Sequence, residues 1–147
     1  MTKTLRTATF AVSGLAALGS ALAADTNPLD AERWKTRPLV VVAPHADDPL
    51  LRKVETTLAR TAPREAFAER EMVLYRVVGG TGSRDGRPLA AGQTRALLQA
   101  LGVRADGPAT VLLVGKDGGT KLREQGDADL NAIFRTIDRM PMRQAGR

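Results

Sequence analysis

Three side chains that could do chemistry follow directly on one apolar stretch of the chain. His45, Asp47 and Asp48 come after Leu39–Ala43, and Pro49 follows them. An imidazole and two carboxylates in so short a segment could bind a divalent metal ion or serve as general acid and base. The same residues also fit a structural interpretation, in which Asp48 caps a helix that begins at Pro49 and Asp47 lies at the positive end of its dipole.

The segment from His45 to Pro49 resembles part of the Ala-His-Pro-Asp-Asp-Glu motif of zinc-dependent sugar N-deacetylases of the LmbE-like class. That resemblance implies that His45 and Asp48 are zinc ligands and that Asp47 is the general base. A catalytic zinc site normally has three protein ligands and an open water position. The chain has 1 His, and Pro49 replaces the Glu of the motif, so the ligand set is incomplete. A metal-dependent hydrolase is therefore an alternative function rather than the leading one.

The composition excludes several classes of function. The chain has 147 residues, 43% of them hydrophobic, which is enough for one domain with a sizeable core. It has no Cys, so disulfides, thiol nucleophiles and thiol-disulfide exchange are impossible. Basic residues are scattered among acidic ones, and no basic stripe with stacking aromatic residues occurs, which argues against nucleic-acid binding. We expect no cofactor.

Residues 1–23 have the layout of a cleavable signal peptide. Lys3 and Arg6 precede an apolar run over 7–18 that is too short to span a membrane, and Ala21 and Ala23 supply the small side chains before the cleavage point. Removing this segment reduces the 22 basic residues to 20 against 16 acidic ones, so the net charge falls from +6 to +4. The sequence thus predicts a periplasmic or secreted protein with no membrane span after cleavage.

Apolar runs rich in β-branched residues predict three strands, Leu39–Ala43, Met72–Val78 and Thr110–Val114. The first should be central, because a continuous apolar run is typical of a strand buried on both faces. The glycine-rich segment Gly79–Pro88 is expected to be a flexible connector without regular structure, although its amides, with Arg84 or Arg87, could also cradle an anion.

Asp117-Gly118 predicts a type I′ turn into a fourth strand that begins at Thr120.

Helical spacing predicts three helices that connect these strands. They begin at Pro49, at about Ala91 and at Asp127–Asp129, and the last two end before Gly102 and Pro141. Residues 24–37 should form a leader with a short helical turn over 29–34, which lays Trp34 on the body of the protein.

The resulting order, β-α-β-α-β-β-α, resembles the thioredoxin-like fold, an α/β architecture with a central mixed sheet of about four strands flanked by helices. The domain would span 38–143, followed by a C-terminal tail over 144–147. Thioredoxins carry Cys-Gly-Pro-Cys where this chain has the segment from Asp47 to Leu50. Gly107-Pro108 precedes the third strand as the thioredoxin cis-proline does, which would place Pro108 beside residues 45–49. Whether that peptide bond is cis or trans is left open.

The segments 112–122 and 137–143 resemble the domain of unknown function 4174 family, a family of small secreted bacterial domains. Its relatives include domains of animal sushi-repeat and coiled-coil-domain extracellular proteins. The resemblance covers nearly all of 28–143, including 34–40 and 46–49. It implies a thioredoxin-like or peroxiredoxin-like fold, no established activity and no metal role for His45.

The leading hypothesis is a redox-inactive binding or envelope accessory protein, not a thiol-dependent oxidoreductase, whose partner is a protein or small ligand of the cell envelope. The alternatives are the metal-dependent hydrolase and a structural protein with no small-molecule site. The Met140–Arg143 segment either joins the ligand face or is simply a helix stop with methionine packing. The candidate ligand or partner face consists of His45, Asp47, Asp48, Pro108, Lys116, Asp117 and Arg143.

Overall fold

A strand of seven buried residues, β1 (Arg37–Ala43), lies inside a six-stranded mixed sheet. The computed structural model describes residues 25–145. β2 (Met72–Val78) pairs with β1 in parallel, and β5 (Thr110–Val114) pairs antiparallel with β1 on the other side. The strand order is β4-β3-β2-β1-β5-β6, in which β6 is Thr120–Gln125. The α/β class is confirmed, but the sheet has six strands instead of about four.

The two additional strands come from the glycine-rich segment. β3 (Thr81–Arg84) and β4 (Arg87–Pro88) continue the sheet beyond β2 through two successive two-residue turns. Both residues of each turn, Gly79-Gly80 and Asp85-Gly86, have positive φ, which is the type I′ geometry. The expectation of a flexible connector was therefore wrong, because turn chemistry imposes the hairpins although the strand between them is polar.

The hairpin between β5 and β6 is confirmed, but its turn is not the predicted type I′. Gly118 has a φ of 85°, whereas Asp117 is absent from the positive-φ residues of the described chain. The Asp117 carboxylate accepts a hydrogen bond from the Gly119 N–H at 3.0 Å, and this bond stabilises the turn. A bulge between Leu113 and Val114 accompanies this geometry.

The connections between the strands are helical. A 3₁₀ helix (Pro28–Glu32) precedes β1, and the α-helices are α1 (Pro49–Ala59), α2 (Thr61–Glu69), α3 (Ala91–Leu101), α4 (Leu130–Asp138) and α5 (Pro141–Gln144). As predicted, Asp48 caps α1, accepting from the Leu50 N–H at 2.9 Å, and Gly102 ends α3 in the left-handed conformation. α2 was not predicted, since its single buried residue, Phe67, leaves no apolar period in the sequence.

The helices form two layers that bury both faces of the sheet. α1, α2 and α4 pack on the side chains of Leu39 and Val41, whereas α3 and the 3₁₀ helix pack on those of Val40 and Val42. Side chains alternate across a strand, so a strand covered on both faces must be apolar throughout. None of the helices within residues 25–145 has the length and apolar character needed to cross a bilayer.

Candidate functional site

The structure separates the predicted face into two groups. They lie at opposite edges of the sheet, one at each end of the central strands. One group follows the C-terminal end of β1 or precedes β5, which runs antiparallel to it: His45, Asp47, Asp48 and Pro108. The other group follows the end of β5 or the end of α4: Lys116, Asp117 and Arg143. β1 spans about 20 Å at the usual rise per residue. The predicted residues therefore do not share one surface, because the antiparallel pairing of β1 and β5 holds the groups apart.

At the first edge the geometry fits the capping interpretation. His45 and Asp47 are exposed, and Asp48 is the partly buried cap of α1. Within residues 25–145 no group of three or more His, Cys, Asp and Glu side chains could hold a metal ion. The peptide bond before Pro108 is trans. The zinc triad of the deacetylase motif is thus not assembled in the described part of the chain.

At the second edge, four segments that are distant in sequence converge. β1 and β2 both begin here because they are parallel, and β5 ends here because it is antiparallel to β1. α4 ends at the same edge and leads into α5, whose Arg143 contacts Glu69 next to the start of β2. The direction of three strands and one helix therefore creates the site.

The convergence produces an open groove that we name the Trp34 groove. Its apolar half has a volume of about 620 Å³ and its ionic half about 740 Å³, each within the range of small-ligand sites. Both halves share Trp34, Lys116 and Met142. The apolar half adds Gly115, Asp117, Lys121, Thr136, Arg139, Met140 and Pro141, and the ionic half adds Arg37, Glu69, Glu71, Arg143 and Ala145.

Trp34 and Met142 expose large apolar surfaces to this groove. Trp34 is 67% exposed and Met142 is 48% exposed, although most apolar side chains of their size are buried elsewhere in the fold. The helical turn does not bury Trp34 against the body of the protein; the side chain lines the groove while most of its surface stays exposed. Two large exposed apolar side chains beside polar groups are typical of a binding surface.

The backbone of Trp34 is held in an unfavourable conformation. Its φ is 64°, in the left-handed region that bulky residues rarely adopt, and its N–H donates to the Lys116 carbonyl at 2.7 Å. Glu71, across the groove, also has a positive φ of 52°. The structure thus keeps an aromatic side chain in solvent at a conformational cost, which is a pattern found at functional sites.

Buried cations line the ionic half of the groove. The Arg37 side chain is only 2% exposed, and its Nη1 donates to the Arg70 carbonyl at 3.0 Å and to the Glu71 carboxylate at 3.4 Å. The Lys116 ammonium lies 2.5 Å from the same carboxylate. This hydrogen bond from Lys116, assisted by the charge of Arg37, lowers the pKa of Glu71. Glu71 therefore stays ionised to a lower pH than an isolated glutamate does.

Arg143 closes the ionic half from the side of α5. It donates to the Glu69 carbonyl at 3.0 Å and to the Glu69 carboxylate at 2.7 Å, which fastens α5 to the end of α2. Behind it, Arg70 makes a two-point contact with Asp138 at 3.1 and 2.8 Å and lies over the Phe134 ring. The groove wall is therefore a connected ionic network and not a set of free surface charges.

The candidate anion cradle at Arg84 has a structural role instead. Arg84 pairs with the buried Glu32, which also accepts from the Tyr75 hydroxyl at 2.7 Å and the Thr36 hydroxyl at 2.6 Å. Burial opposes ionisation of Glu32, but the hydrogen bonds from Arg84, Thr36 and Tyr75 outweigh it and lower the pKa of Glu32. Burial and the Glu32 carboxylate raise the pKa of Tyr75. This cluster fastens the 3₁₀ helix to β2 and β3.

Sequence inspection missed Trp34, Arg37, Glu69 and Glu71 as groove residues. A charged residue at the start of an apolar strand, as in Arg37-Pro38-Leu39, is the one local signal that could have singled out a buried arginine. For the acidic residues no local signal exists, since their significance depends on contacts with Arg37, Lys116 and Arg143. Together these groups offer cationic donors next to an apolar surface, which suits binding.

The profile of one family, the domain of unknown function DUF4174, matches residues 28–146. The chain belongs to this family. No curated protein and no solved structure shows a significant match to the chain. The DUF4174 domain includes every residue of the Trp34 groove, as well as His45, Asp47 and Asp48 at the opposite edge.

Proposed function

We propose that this DUF4174 protein is an exported binding protein whose ligand occupies the Trp34 groove. The observation that carries the proposal is the exposure of Trp34 and Met142 beside a buried Arg37. Burying such apolar surface would contribute about 25 cal/mol per Å² to binding, and the neighbouring charges would orient the ligand.

We further propose that the scaffold is thioredoxin-like and has no redox function. Its support is the order of the elements, in which a parallel β-α-β pair is followed by an antiparallel hairpin and a helix, with α2 and the β3–β4 hairpin as additions. The segment from Asp47 to Leu50 leads into α1 at the place where thioredoxins carry their cysteines. Capping by Asp48 takes the place of thiol chemistry there.

Export is the third part of the proposal, and it depends on residues 1–23, which lie outside the described residues. Fractionation of cells that produce the full chain should find the protein in the periplasm or medium. A variant lacking residues 2–23 should stay in the cytoplasm, and replacing Ala21 and Ala23 by Leu should block cleavage. Finding the unmodified chain in the cytoplasm at its full mass would contradict export.

Binding can be tested through Trp34, because it is the single Trp of the chain. Fractions of an envelope extract are titrated into the purified protein while tryptophan emission and amide chemical shifts are recorded. A ligand of the groove should shift the emission to the blue and move amide signals near Trp34, Lys116 and Met142. Binding that moves only signals near His45 would place the site at the other edge, and no response to any fraction would favour an accessory role without a small-molecule site.

A further inference from the structure

We infer that the ligand is the C-terminal end of a polypeptide with an apolar last residue. Its carboxylate would contact Arg37, Lys116 and Arg143, and its last side chain would lie on Trp34 and Met142. The inference rests on the proposed function, because it names the ligand class of the same groove.

The first support is a buried guanidinium that has one donor left without an acceptor. Arg37 is almost fully buried and lines the ionic half, yet among the described residues its Nε has no hydrogen-bond partner. The Nε of Arg143, on the opposite wall, has no hydrogen-bond partner either, although it lies 3.8 Å from the Asp138 carboxylate. Buried guanidinium donors without an acceptor are costly, and a carboxylate is the acceptor that matches their planar fork.

The second support is the Glu71 carboxylate, which already contacts two of the cations in the groove. Within residues 25–145 the ionic half is lined by three basic side chains, Arg37, Lys116 and Arg143, and by two acidic ones, Glu69 and Glu71. The Glu71 carboxylate contacts both Arg37 and Lys116 from a side chain that is 53% exposed. The cations therefore accept a carboxylate approaching from solvent, and one positive charge remains for a second carboxylate.

The third support is the shape of the apolar half. It is an open groove, in which Trp34, Met140 and Met142 provide apolar surface, and the ion pair between Lys121 and Asp117 also lines it. Flexible methionines adapt to side chains of different shape. A peptide suits such a groove because its backbone groups remain hydrated at the rim, whereas an acyl chain would leave much of its apolar surface in water.

The test compares three probes: acetyl-Ala-Ala-Val-Leu with a free carboxylate, the same peptide as C-terminal amide, and octanoate. Each is titrated into the full protein at low salt, with Trp34 emission and calorimetry as readouts. The free acid should bind at least about tenfold more tightly than the amide, because charge-assisted hydrogen bonds to a carboxylate are lost in the amide. Octanoate should bind more weakly than the free acid.

Single substitutions then locate the carboxylate. Lys116→Gln and Arg143→Gln should each weaken binding of the acid by about fivefold or more and leave binding of the amide unchanged. Glu71→Gln should strengthen binding of the acid, because a competing carboxylate is removed. Arg104→Gln is the matched control, since Arg104 is an exposed arginine paired with Asp106 before β5, at the other edge of the sheet. Circular dichroism confirms that each variant is folded.

The outcomes separate this inference from the proposed function. Equal binding of acid and amide in the groove would overturn the carboxylate contact while the groove remains a binding site. Stronger binding of octanoate would overturn the choice of a peptide. If none of the three probes binds but an envelope fraction still shifts Trp34 emission, the inference fails and the proposed function stands. If no fraction shifts it either, both fail.

Discussion

Removal of the Glu32 carboxylate is the sharpest test of how the N-terminal segment is held. The Glu32 side chain is 6% exposed and receives hydrogen bonds from Tyr75, Thr36 and Arg84. In Glu32→Ala the Tyr75 hydroxyl keeps only a 3.5 Å contact with the Pro28 carbonyl. The variant therefore leaves a buried donor nearly unsatisfied.

Three losses determine how strongly Glu32→Ala destabilises the fold. Leaving the Tyr75 hydroxyl without its partner costs about 1–3 kcal/mol. Arg84 is 36% exposed and regains water, so the loss of its ion pair adds at most about 1 kcal/mol. The deleted methylene of Glu32 adds about 0.8 kcal/mol. Glu32→Ala should therefore lower the free energy of unfolding by about 2–5 kcal/mol, and Glu32→Gln by about half as much, since the amide retains one acceptor.

Urea unfolding followed by circular dichroism measures these changes. A double-mutant cycle with Tyr75→Phe isolates the direct contact, whose coupling should exceed about 1 kcal/mol. If the two changes add to within about 0.5 kcal/mol, the hydrogen bond contributes nothing and our account of the cluster is wrong. A changed slope with urea would instead indicate that the variant alters the compactness of a state.

The same cluster predicts a pH dependence. The pKa of Glu32 is lower in the folded protein than its usual value near 4.3. A carboxylate with a lowered pKa contributes stability above that value and loses it as the pH falls through the folded pKa. Below about pH 4, stability should therefore fall more steeply for the wild type than for Glu32→Gln. Parallel pH profiles of the two proteins would contradict this assignment.

Three further predictions concern single positions. Trp34→Gly should change the free energy of unfolding by less than about 1 kcal/mol, because relief of the left-handed backbone offsets the loss of a mostly exposed side chain; a loss above about 2 kcal/mol in urea would show that Trp34 belongs to the core. Asp48→Ala should cost about 1 kcal/mol in thermal unfolding through the lost cap of α1, with the exposed Asp47→Ala as a near-neutral control. Gly82→Ala should cost about 1–3 kcal/mol, because its Cβ would collide with the Thr94 hydroxyl, and Thr94→Ala in the same chain should recover part of the loss.

Much of the fold could be predicted from local patterns. The continuous apolar run of β1 predicted a strand that is buried on both faces. The helical spacing of the apolar residues in α4 predicted a helix with one buried face. Asp48 and Gly102 marked a helix start and a helix end, because capping depends only on neighbouring backbone groups. Such features are decided within one or two turns of chain.

The β3–β4 hairpin marks where local interpretation went wrong. Its strands are polar and contain Gly82, so they lack the alternation that normally reveals a strand. The information lay in the turn residues Gly79-Gly80 and Asp85-Gly86, whose positive φ values favour a type I′ hairpin. The lack of apolar alternation indicated a loop there, whereas the turn residues favoured a hairpin. The structure has the hairpin.

The sequence by itself determined the α/β class, the absence of thiol chemistry and the residue types available for a site. Only the tertiary structure decided which of those residues meet. Arg37, Glu71, Lys116 and Arg143 have no common motif, and they converge because β1 and β2 run in parallel while β5 runs against them. The same strand directions place His45 at the far edge. A site made by long-range strand pairing depends on contacts that no local pattern encodes.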